Sequence, residues 1–525
     1  MFRKIKQVLK YLRSYKLSNS ENEFIKLNSE IWKSSSSPNK TNKICLIEGH
    51  IDCPASIIDK ARMAKAIEES TGAKPVVYIR GFSLKGSNVA HIYKSFNIQE
   101  FYLWWNSYLN PFIVIPSIFK TMNIYLFTRS GENLLKIKYK GVYIGDLIYD
   151  TLIRFKPNSY TLNNIKIEHV RLILRAFITF NINNKLIKKY NPTYLVTSHN
   201  VYAEFGMLPR QIRHNNNGIV FLKDIYAYKC YDIKTPINEH FLKVRRSDFQ
   251  EKLICDDYYS SARKYFKERM QGNINQIDVK NAFTNKKPYK ISELKITHPK
   301  IDINKKNVIV MSHAFSDSPH VGEGLLFKDY YDFLEQTLIR LNDNNEINCF
   351  VKTHPSSYMW NEKGGVEHLI EKNKLSNIYI LPNDLNTNSI CELANYIVTA
   401  KGTAGLEFSC LGIPAITAGK GFYYGFDITK EPNSISEYYN YLDTICYIPK
   451  LTEETKRKAL VLLYMVSQNK HHSKILPYQH IMPGENYHEI YQEKFHEIVN
   501  NMKKGEVMKD DYYQMVLNDA AKCND

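Results

Sequence analysis

The chain has 525 residues, enough for two or three domains that each bury a core. Apolar residues make up 44% and charged residues 24% of it, which excludes an intrinsically disordered chain. The 71 basic and 53 acidic side chains give a net charge of +18, which favours an anionic partner without saying which kind.

The nine cysteines form no CxxC pair, so the sequence indicates neither a disulfide framework nor a zinc site, and a reducing cytosol fits best. The longest apolar run, Pro111 to Phe127, is interrupted by Pro116, Lys120 and Asn123. We therefore expect that the chain does not cross a membrane.

Residues 1–17 carry six basic side chains, and no acidic residue occurs before Glu21. Apolar residues recur at helical spacing, which predicts a basic amphipathic helix, and lysines interrupt every run that a secretory signal would need. One interpretation is a helix that binds the anionic inner leaflet, so that the protein is cytoplasmic and peripheral on the inner face of the membrane. The alternative is an ordinary helix packed on the first domain.

Short β-rich runs alternate with helical patterns after a polar linker, Ser34 to Lys43, and this rhythm predicts βαβ units with a parallel sheet. The runs in the first part are ICLIEGH, PVVYIRG, NIYLF and TYLVTSH. A polar, basic stretch follows, after which a second series begins with NVIVMSH, INCFVKTH, NIYIL, YIVTA and PAITAG. The fold class is thus α/β, with two domains in tandem, and two such domains facing each other would place a substrate in the cleft between their parallel sheets.

The predicted division of the chain has five parts. They are the N-terminal basic amphipathic helix and linker (1–43), an N-terminal α/β domain (44–266), a connection (267–306), a C-terminal α/β domain (307–450) and a helical segment (451–525).

The segment YIVTAKGTAGLEFSCLGIPAITAG runs from a strand through a glycine turn into a helix. Gly402 and Gly405 let the backbone approach an anion, whose charge the amides of the first helical turn would bind. Thr403 adds a hydroxyl donor, and Glu407 is placed to accept from ribose hydroxyls. This pattern predicts a phosphate cradle, although glycines that only make a tight turn would look the same.

A second candidate group follows the strand INCFVK, where Lys352, His354 and Ser356 place a cation, an imidazole and a hydroxyl at the carboxyl end. Pro355 ends the strand and restricts His354 to an extended conformation. The same cleft should lie there, so we expect these side chains to assist phosphate binding.

The loop SHAFSDSPH offers His313, Ser316 and Asp317 as substrate contacts or loop caps. His313 and His320 have no evident third ligand, so no metal site is predicted. Tyr423 follows a glycine pair and is a further possible substrate contact, with core packing as the favoured interpretation.

The second domain resembles the capsule polysaccharide biosynthesis family, which contains the β-Kdo transferases, in SHAFSDSPH, VKTHP, NDLNTNSICELANYIVTAKGTAGLEFSCLGIPAITAG and FYYGFDIT. The resemblance covers roughly Asn307 to Tyr439. GVYIGDLIYDTLIR and SHNVYAEFGMLPR in the first domain look like elements of bacterial surface-carbohydrate enzymes.

The resemblance implies a GT-B glycosyltransferase that builds a capsule or lipopolysaccharide glycan. Such a fold has two Rossmann-like domains whose parallel sheets face a central cleft, here an acceptor domain (44–266) and a nucleotide-sugar-binding domain (307–450). By analogy, His354, Gly402, Thr403 and Gly405 contact the donor phosphate, and Glu407 contacts the ribose. The implied partners are a nucleotide-sugar donor and a glycan or lipid-linked glycan acceptor. A CMP-linked donor is favoured, which carries Kdo or another nonulosonate.

No convincing Asp-x-Asp follows a strand, so we expect transfer without a metal ion or other cofactor, the nucleotide sugar being a co-substrate. Fixed amides, Lys352 and His354 would stabilise the leaving phosphate. Asp146, Glu204 and Asp52 follow apolar runs of the first domain and are candidates for taking the acceptor proton. A retaining enzyme would need none of them for that step.

Other functions share the expected scaffold. A sugar-nucleotide 2-epimerase would release free product without an acceptor, and a glycerophosphate-type polymerase is a second alternative. Nucleic-acid binding is not favoured, because the positive charge is spread along the chain and no helix-turn-helix, zinc or RNA-binding aromatic signature occurs.

Overall fold

The computed structural model describes residues 14–33, 41–51, 53–108, 110–156, 160–223, 227–274, 286–355, 357, 362, 364–468, 475–476 and 487–523. Most of the predicted N-terminal amphipathic helix, Asp52 and Ser356 lie outside these residues. The described chain is mixed α/β with two separate, mainly parallel sheets, which confirms the predicted fold class at that level.

The described first half has eight short strands: β1 (Ile44–Gly49), β2 (Lys74–Ile79), β3 (Glu100–Leu103), β4 (Lys138–Tyr139), β5 (Val142–Tyr143), β6 (Tyr194–Thr197), β7 (Ile219–Lys223) and β8 (Tyr228–Tyr231). Six form one sheet in the order β3-β2-β1-β6-β7-β8, in which only β8 runs antiparallel to its neighbour. The strand β4 pairs with β5 in a separate hairpin.

The helices of this half follow in chain order: α1 (Asn19–Trp32), α2 (Pro54–Thr71), α3 (Val89–Ser95), α4 (Pro111–Asn123), α5 (Gly131–Leu135), α6 (Gly145–Phe155), α7 (Val170–Tyr190), α8 (Tyr202–Asn216), α9 (Arg246–Leu253) and α10 (Asp256–Met270). The helix α2 shows why such elements form where they do. It has a proline in its first turn, and it ends at Gly72 in the left-handed conformation that glycine accepts without strain.

The second half contains β9 (Lys306–Met311), β10 (Glu323–Leu325), β11 (Ile347–Lys352), β12 (Ile378–Ile380), β13 (Tyr396–Thr399), β14 (Ala415–Thr417) and β15 (Gly419–Lys420). Five of them form an all-parallel sheet in the order β12-β11-β9-β13-β14, and β10 pairs with β15. The helices are α11 (Ile291–Thr297), α12 (Tyr330–Asn342), α13 (Gly365–Lys372), α14 (Thr387–Leu393), α15 (Ala404–Ser409), α16 (Ile435–Asp443), α17 (Glu453–Gln468), α18 (Tyr487–Lys503) and α19 (Asp511–Lys522).

Both sheets have the strand order of a doubly wound fold. The direction in which successive strands are added to the sheet reverses between β1 and β6 in the first sheet and between β9 and β13 in the second. In such sheets ligands bind beyond the carboxyl ends of the strands at this reversal. The loops after these four strands are therefore the places to look for a site.

Two helical regions pack differently from the predicted division. Phe249 of α9 and Phe266 of α10 share a core cluster with Leu406 and residues of α17, so the boundary predicted at residue 266 separates side chains that pack together. The helices α18 and α19 return to the first half, where Phe495 and Val516 join the core beneath α2. Long-range packing of this kind leaves no local signal in sequence.

The segment NIYLF was predicted as a strand and is helical. Residues Ile124–Thr128 form a π-helical continuation of α4, because no glycine or proline intervenes to stop the helix. Pro116 lies within α4 without ending it. Among the described residues, one helix, Pro111–Thr128, is long and apolar enough to cross a bilayer by length and composition alone.

The two halves meet through α6 and the loop that follows β9. His320 Nδ1 lies 2.6 Å from a carboxylate oxygen of Asp150. The hydroxyl of the adjacent Tyr149 donates to the carboxylate of Asp329, which caps α12. Both contacts join α6 of the first half to the segment between β9 and α12 of the second.

Candidate functional site

Three loops of the second half meet because their strands are neighbours. Met311, Lys352 and Thr399 are paired across β9, β11 and β13, so the residues that follow them emerge side by side. The amide of His354 donates to the Ser312 hydroxyl at 3.1 Å. The predicted candidates His313, His354 and Gly402 thus lie in one cluster, which we call the switch-point cluster.

His313 is held in one protonation state within this cluster. Its ring stacks on Tyr330 with centroids 4.1 Å apart, and Nε2 accepts from the amide of Lys401 at 3.3 Å. Burial, with the nearby His354 and Lys401, lowers the pKa of His313 to about 3, so the ring is neutral at physiological pH. Because Nε2 accepts, the proton belongs on Nδ1.

The glycine turn is supported from beneath by Tyr423. This side chain is buried, and its hydroxyl donates to the Gly402 carbonyl at 2.8 Å. In a planar trans peptide the N–H points opposite to the C=O, so the Thr403 amide points away from Tyr423. Within the described residues, the amides of Gly402, Thr403 and Ala404 form no hydrogen bond, unlike that of Gly405, which donates to Gly402.

Tyr423 is therefore placed as a packing residue, and its predicted role as a substrate contact does not fit its burial. A Cβ on Gly405 would lie 2.5 Å from the Tyr423 hydroxyl, so glycine is required for this close approach. A Cβ on Gly402 would lie 3.0 Å from Thr399 Oγ1 and 3.2 Å from His313 Cε1. Both glycines permit contacts that any side chain would disturb.

Several predicted contacts lie outside the cluster. Lys352 is buried and its ammonium donates to the Pro382 carbonyl at 2.7 Å, while burial lowers its pKa to about 8. The Ser316 hydroxyl donates to the buried carboxylate of Glu362 at 2.7 Å, so it fixes its own loop. Asp317 is exposed.

Glu407 lies one turn into α15, as predicted, but its carboxylate already has a partner. Arg269 of α10 donates to Oε1 through Nε at 2.9 Å and also through a terminal nitrogen. Arg269 is buried, so this ion pair joins α10 to the second sheet. Sequence reasoning missed Arg269, because nothing in the pattern of α10 indicates which distant residue it meets.

Asp146 lines a small cavity of about 10 Å³ between the two halves. Arg210 holds its carboxylate with two hydrogen bonds, at 2.6 and 2.7 Å. Asp150, one turn later on α6, lines the same cavity together with His320 and Gly322 of the second half. This cavity joins the predicted catalytic carboxylate to the loop that follows β9.

The cavity is linked to the switch-point cluster through Lys401. Its buried ammonium donates to the carbonyls of Pro319 and Val321, at 2.8 and 2.7 Å, and burial lowers its pKa to about 8. Lys401 precedes Gly402, and Val321 lines the cavity. The two regions therefore share the loop between residues 313 and 322.

The His320 ring donates from both nitrogens. Nε2 lies 2.9 Å from the Lys328 carbonyl, which accepts only, and Nδ1 faces the Asp150 carboxylate. Burial opposes the charged ring, but the carboxylate outweighs this effect and raises the pKa of His320. His320 is thus placed as a charged structural link between the halves.

Glu204, the second predicted catalytic carboxylate, lies between Arg80 and Arg175 at the carboxyl edge of the first sheet. Arg175 donates to Oε2 at 2.9 Å, and Arg80 forms an ion pair with Oε1. Guanidinium groups therefore fix the carboxylate of Glu204, as Arg210 fixes that of Asp146. The cavity described above is not lined by Glu204.

Sequence reasoning missed a group of polar side chains near the carboxyl ends of β1, β3 and β6. The buried Glu48 accepts from Lys60 at 2.7 Å and from Ser198 at 2.7 Å, and these partners overcome burial to lower its pKa to about 2. Within the described residues, His50 Nδ1 and Trp104 Nε1 are buried without a hydrogen-bond partner. The histidine in ICLIEGH, at the end of the first strand, was the available signal.

Among the described residues, no group of three or more His, Cys, Asp and Glu side chains is arranged to hold a metal ion.

Residues 203–441 match the model of a protein family described as "Capsule polysaccharide biosynthesis protein". Over this range, the chain is similar to the capsule polysaccharide biosynthesis family. The matched range contains the switch-point cluster, Glu204 and Arg210, whereas Asp146 lies before it.

A curated relative is the capsule polysaccharide modification protein LipA of Neisseria meningitidis serogroup A / serotype 4A (strain DSM 15465 / Z2491). It is 24% identical over 140 residues, which are 26% of this chain and 19% of the relative. The matched region thus spans about a fifth of LipA.

Solved structures that are similar to this chain include two of Thermosulfurimonas dismutans KpsC. The β-Kdo 2,4 transferase has 13% identity and a TM-score of 0.33, covering 51% of this chain and 79% of its own. The β-Kdo 2,7 transferase has 14% identity and a TM-score of 0.32, covering 64% and 97%. Similarity at this level carries no argument about the chemistry of this chain.

Proposed function

We propose that this protein is a glycosyltransferase of the GT-B type that transfers a sugar from a nucleotide donor to a surface polysaccharide. The observation that carries the proposal is the switch-point cluster. It brings His313, His354 and the amides of the Gly402 turn to the carboxyl ends of adjacent parallel strands. The match of residues 203–441 to the capsule polysaccharide biosynthesis model supports a role in capsule synthesis.

The cluster supplies donors for a leaving phosphate. The Thr403 amide points out of the turn, and neutral His313 carries its proton on Nδ1. Fixed donors of this kind stabilise negative charge as it develops, and each contributes about 3 kcal/mol to the transition state. On this proposal the reaction needs no metal ion, because the amides and His354 take that role.

Asp146 is the proposed catalytic carboxylate, in preference to Glu204. It lines the cavity between the halves, and Arg210 fixes its orientation with two hydrogen bonds. Asp146 would accept the proton of the acceptor hydroxyl or stabilise positive charge at the anomeric carbon.

We further propose CMP as the nucleotide and an acidic ulosonate such as Kdo as the sugar, with a glycan or lipid-linked glycan as acceptor. The resemblance of the second-half segments to β-Kdo transferases supports this choice. The protein would act in the cytoplasm, where nucleotide sugars are made, with its acceptor at the inner membrane surface.

Product analysis with a CMP-linked sugar, with and without a glycan acceptor, tests the function. The proposal predicts transfer that depends on acceptor and that His354→Ala reduces at least 100-fold. His368→Ala, which changes an exposed histidine on α13, is the matched control and should retain full activity. Sugar released equally without acceptor, or full activity of His354→Ala, would contradict the proposal, the former favouring an epimerase.

A further inference from the structure

The helix α4 and its π-helical continuation turn their apolar side chains outward. Three phenylalanines are strongly exposed, Phe112 by 88%, Phe119 by 72% and Phe127 by 76%. Further exposed apolar residues lie on the same helix: Ile115, Ile118, Met122 and Leu126. We call these seven side chains the apolar face of α4. A helix of a water-soluble domain would normally bury such a set.

The buried side of the same helix carries two polar and two apolar side chains. Ser117 and Thr121 are buried, and the Ser117 hydroxyl accepts from Asn181 of α7 at 2.9 Å. Ile113 and Ile124 complete the stripe that faces inward. The helix is thus fixed by its buried side, so the outward direction of the apolar face follows from the packing.

Positively charged side chains border this face. No acidic residue occurs between Glu100 and Glu132, a stretch that includes Lys120 and Arg129. The hairpin that follows carries exposed lysines, of which Lys140 donates to Asn181 at 2.9 Å. Since Asn181 also holds Ser117, the cations of this hairpin lie beside α4.

We propose that the apolar face of α4 inserts into the surface of a bilayer that contains anionic lipids. Apolar side chains bordered by cations match the acyl boundary and the headgroups of such a surface. Two copies of this face would bring like charges together, which disfavours a dimer. A spanning orientation would break the hydrogen bond between Ser117 and Asn181, so the helix lies along the surface.

This orientation sets the first sheet against the membrane. The strand β3 ends at Leu103, and α4 begins at Pro111, so the apolar face adjoins the carboxyl edge of that sheet. Trp104 at this edge lies 5.2 Å, ring to ring, from both His50 and Tyr108. The docking surface is separate from residues 1–17 and does not depend on the proposed reaction.

Flotation of the full-length protein with vesicles tests the proposal. We expect binding to vesicles of phosphatidylcholine with 30% phosphatidylglycerol, and at least tenfold weaker binding to phosphatidylcholine alone. The triple variant Phe112→Ser, Phe119→Ser, Phe127→Ser should lose at least tenfold in partitioning. The matched control changes three exposed isoleucines elsewhere, Ile233→Ser, Ile254→Ser and Ile296→Ser, and should bind like the parent.

A second measurement keeps the proposal falsifiable if residues 1–17 also bind lipid. Tryptophan at position 119, from Phe119→Trp, should shift to shorter emission wavelength on vesicles and be quenched by doxyl-labelled lipid, whereas Ile254→Trp should not. Unchanged emission of Phe119→Trp would overturn the proposal. So would a lipid-free dimer that the triple variant dissociates, since a second copy would then be the occupant.

Discussion

The substitution Gly402→Ala acts directly on the switch-point cluster. Its methyl group would lie 3.0 Å from Thr399 Oγ1 and 3.2 Å from His313 Cε1, a few tenths of an ångström closer than such atoms normally approach. The turn and the imidazole must therefore move apart slightly. Overpacking of this size costs about 1 kcal/mol of folding stability, so we expect the variant to fold.

Nucleotide binding should suffer more than stability. Hydrogen bonds to a charged group contribute about 1.5–3 kcal/mol, and the loss of one such bond weakens binding about 10- to 100-fold. Isothermal titration with CMP would measure this loss, and urea unfolding would measure stability on the same sample. A CMP affinity within threefold of the parent, in a folded variant, would refute the assignment of the turn as the phosphate site.

Other residues give independent tests. Asp146→Asn should lower the transfer rate at least 100-fold with little change in CMP affinity, whereas Glu204→Gln should lower it less than tenfold; equal effects on rate would contradict the choice between them. Glu407→Gln should lower the free energy of unfolding by about 2 kcal/mol in chemical denaturation, because buried Arg269 loses its charged partner, and an unchanged value would show that the pair contributes little. The pKa of His313 is lower in the folded state than in the unfolded state. The stability that the neutral ring contributes is therefore fully present above about pH 6.5, the unfolded pKa, and is lost as the pH falls towards the folded pKa. His313→Gln should reduce the slope of stability against pH between 6 and 4 by about 1.4 kcal/mol per pH unit, as followed by pH-dependent urea unfolding; an identical slope would contradict the neutral ring.

The sequence allowed prediction of strands and helices that are marked by apolar runs or by turn residues. The strands around Ile44, Asn307 and Tyr396 were predicted from apolar runs bounded by polar residues, and the helix after Gly402 from its turn. The parallel register then brought His313, His354 and Gly402 together, as expected when adjacent strands end at one edge. These elements could be predicted because hydrophobic periodicity and turn residues depend only on positions close together in the chain.

Contacts between distant segments could not be predicted in this way. Glu407 was expected to bind ribose, and its pairing with Arg269 depends on how α10 packs. NIYLF has the composition of a strand, but it continues a helix whose apolar side faces outward. The strand prediction assumed that the apolar residues of this segment are buried, whereas Phe127 is exposed.

The central claim is that the switch-point cluster binds the phosphate of a nucleotide. Isothermal titration of the full-length protein with CMP, UDP, GDP and dTDP tests it most directly. The account predicts one CMP site per chain, weakened at least tenfold in His354→Ala and unchanged in His368→Ala. Binding of none of the four nucleotides, or CMP binding that His354→Ala leaves intact, would contradict it.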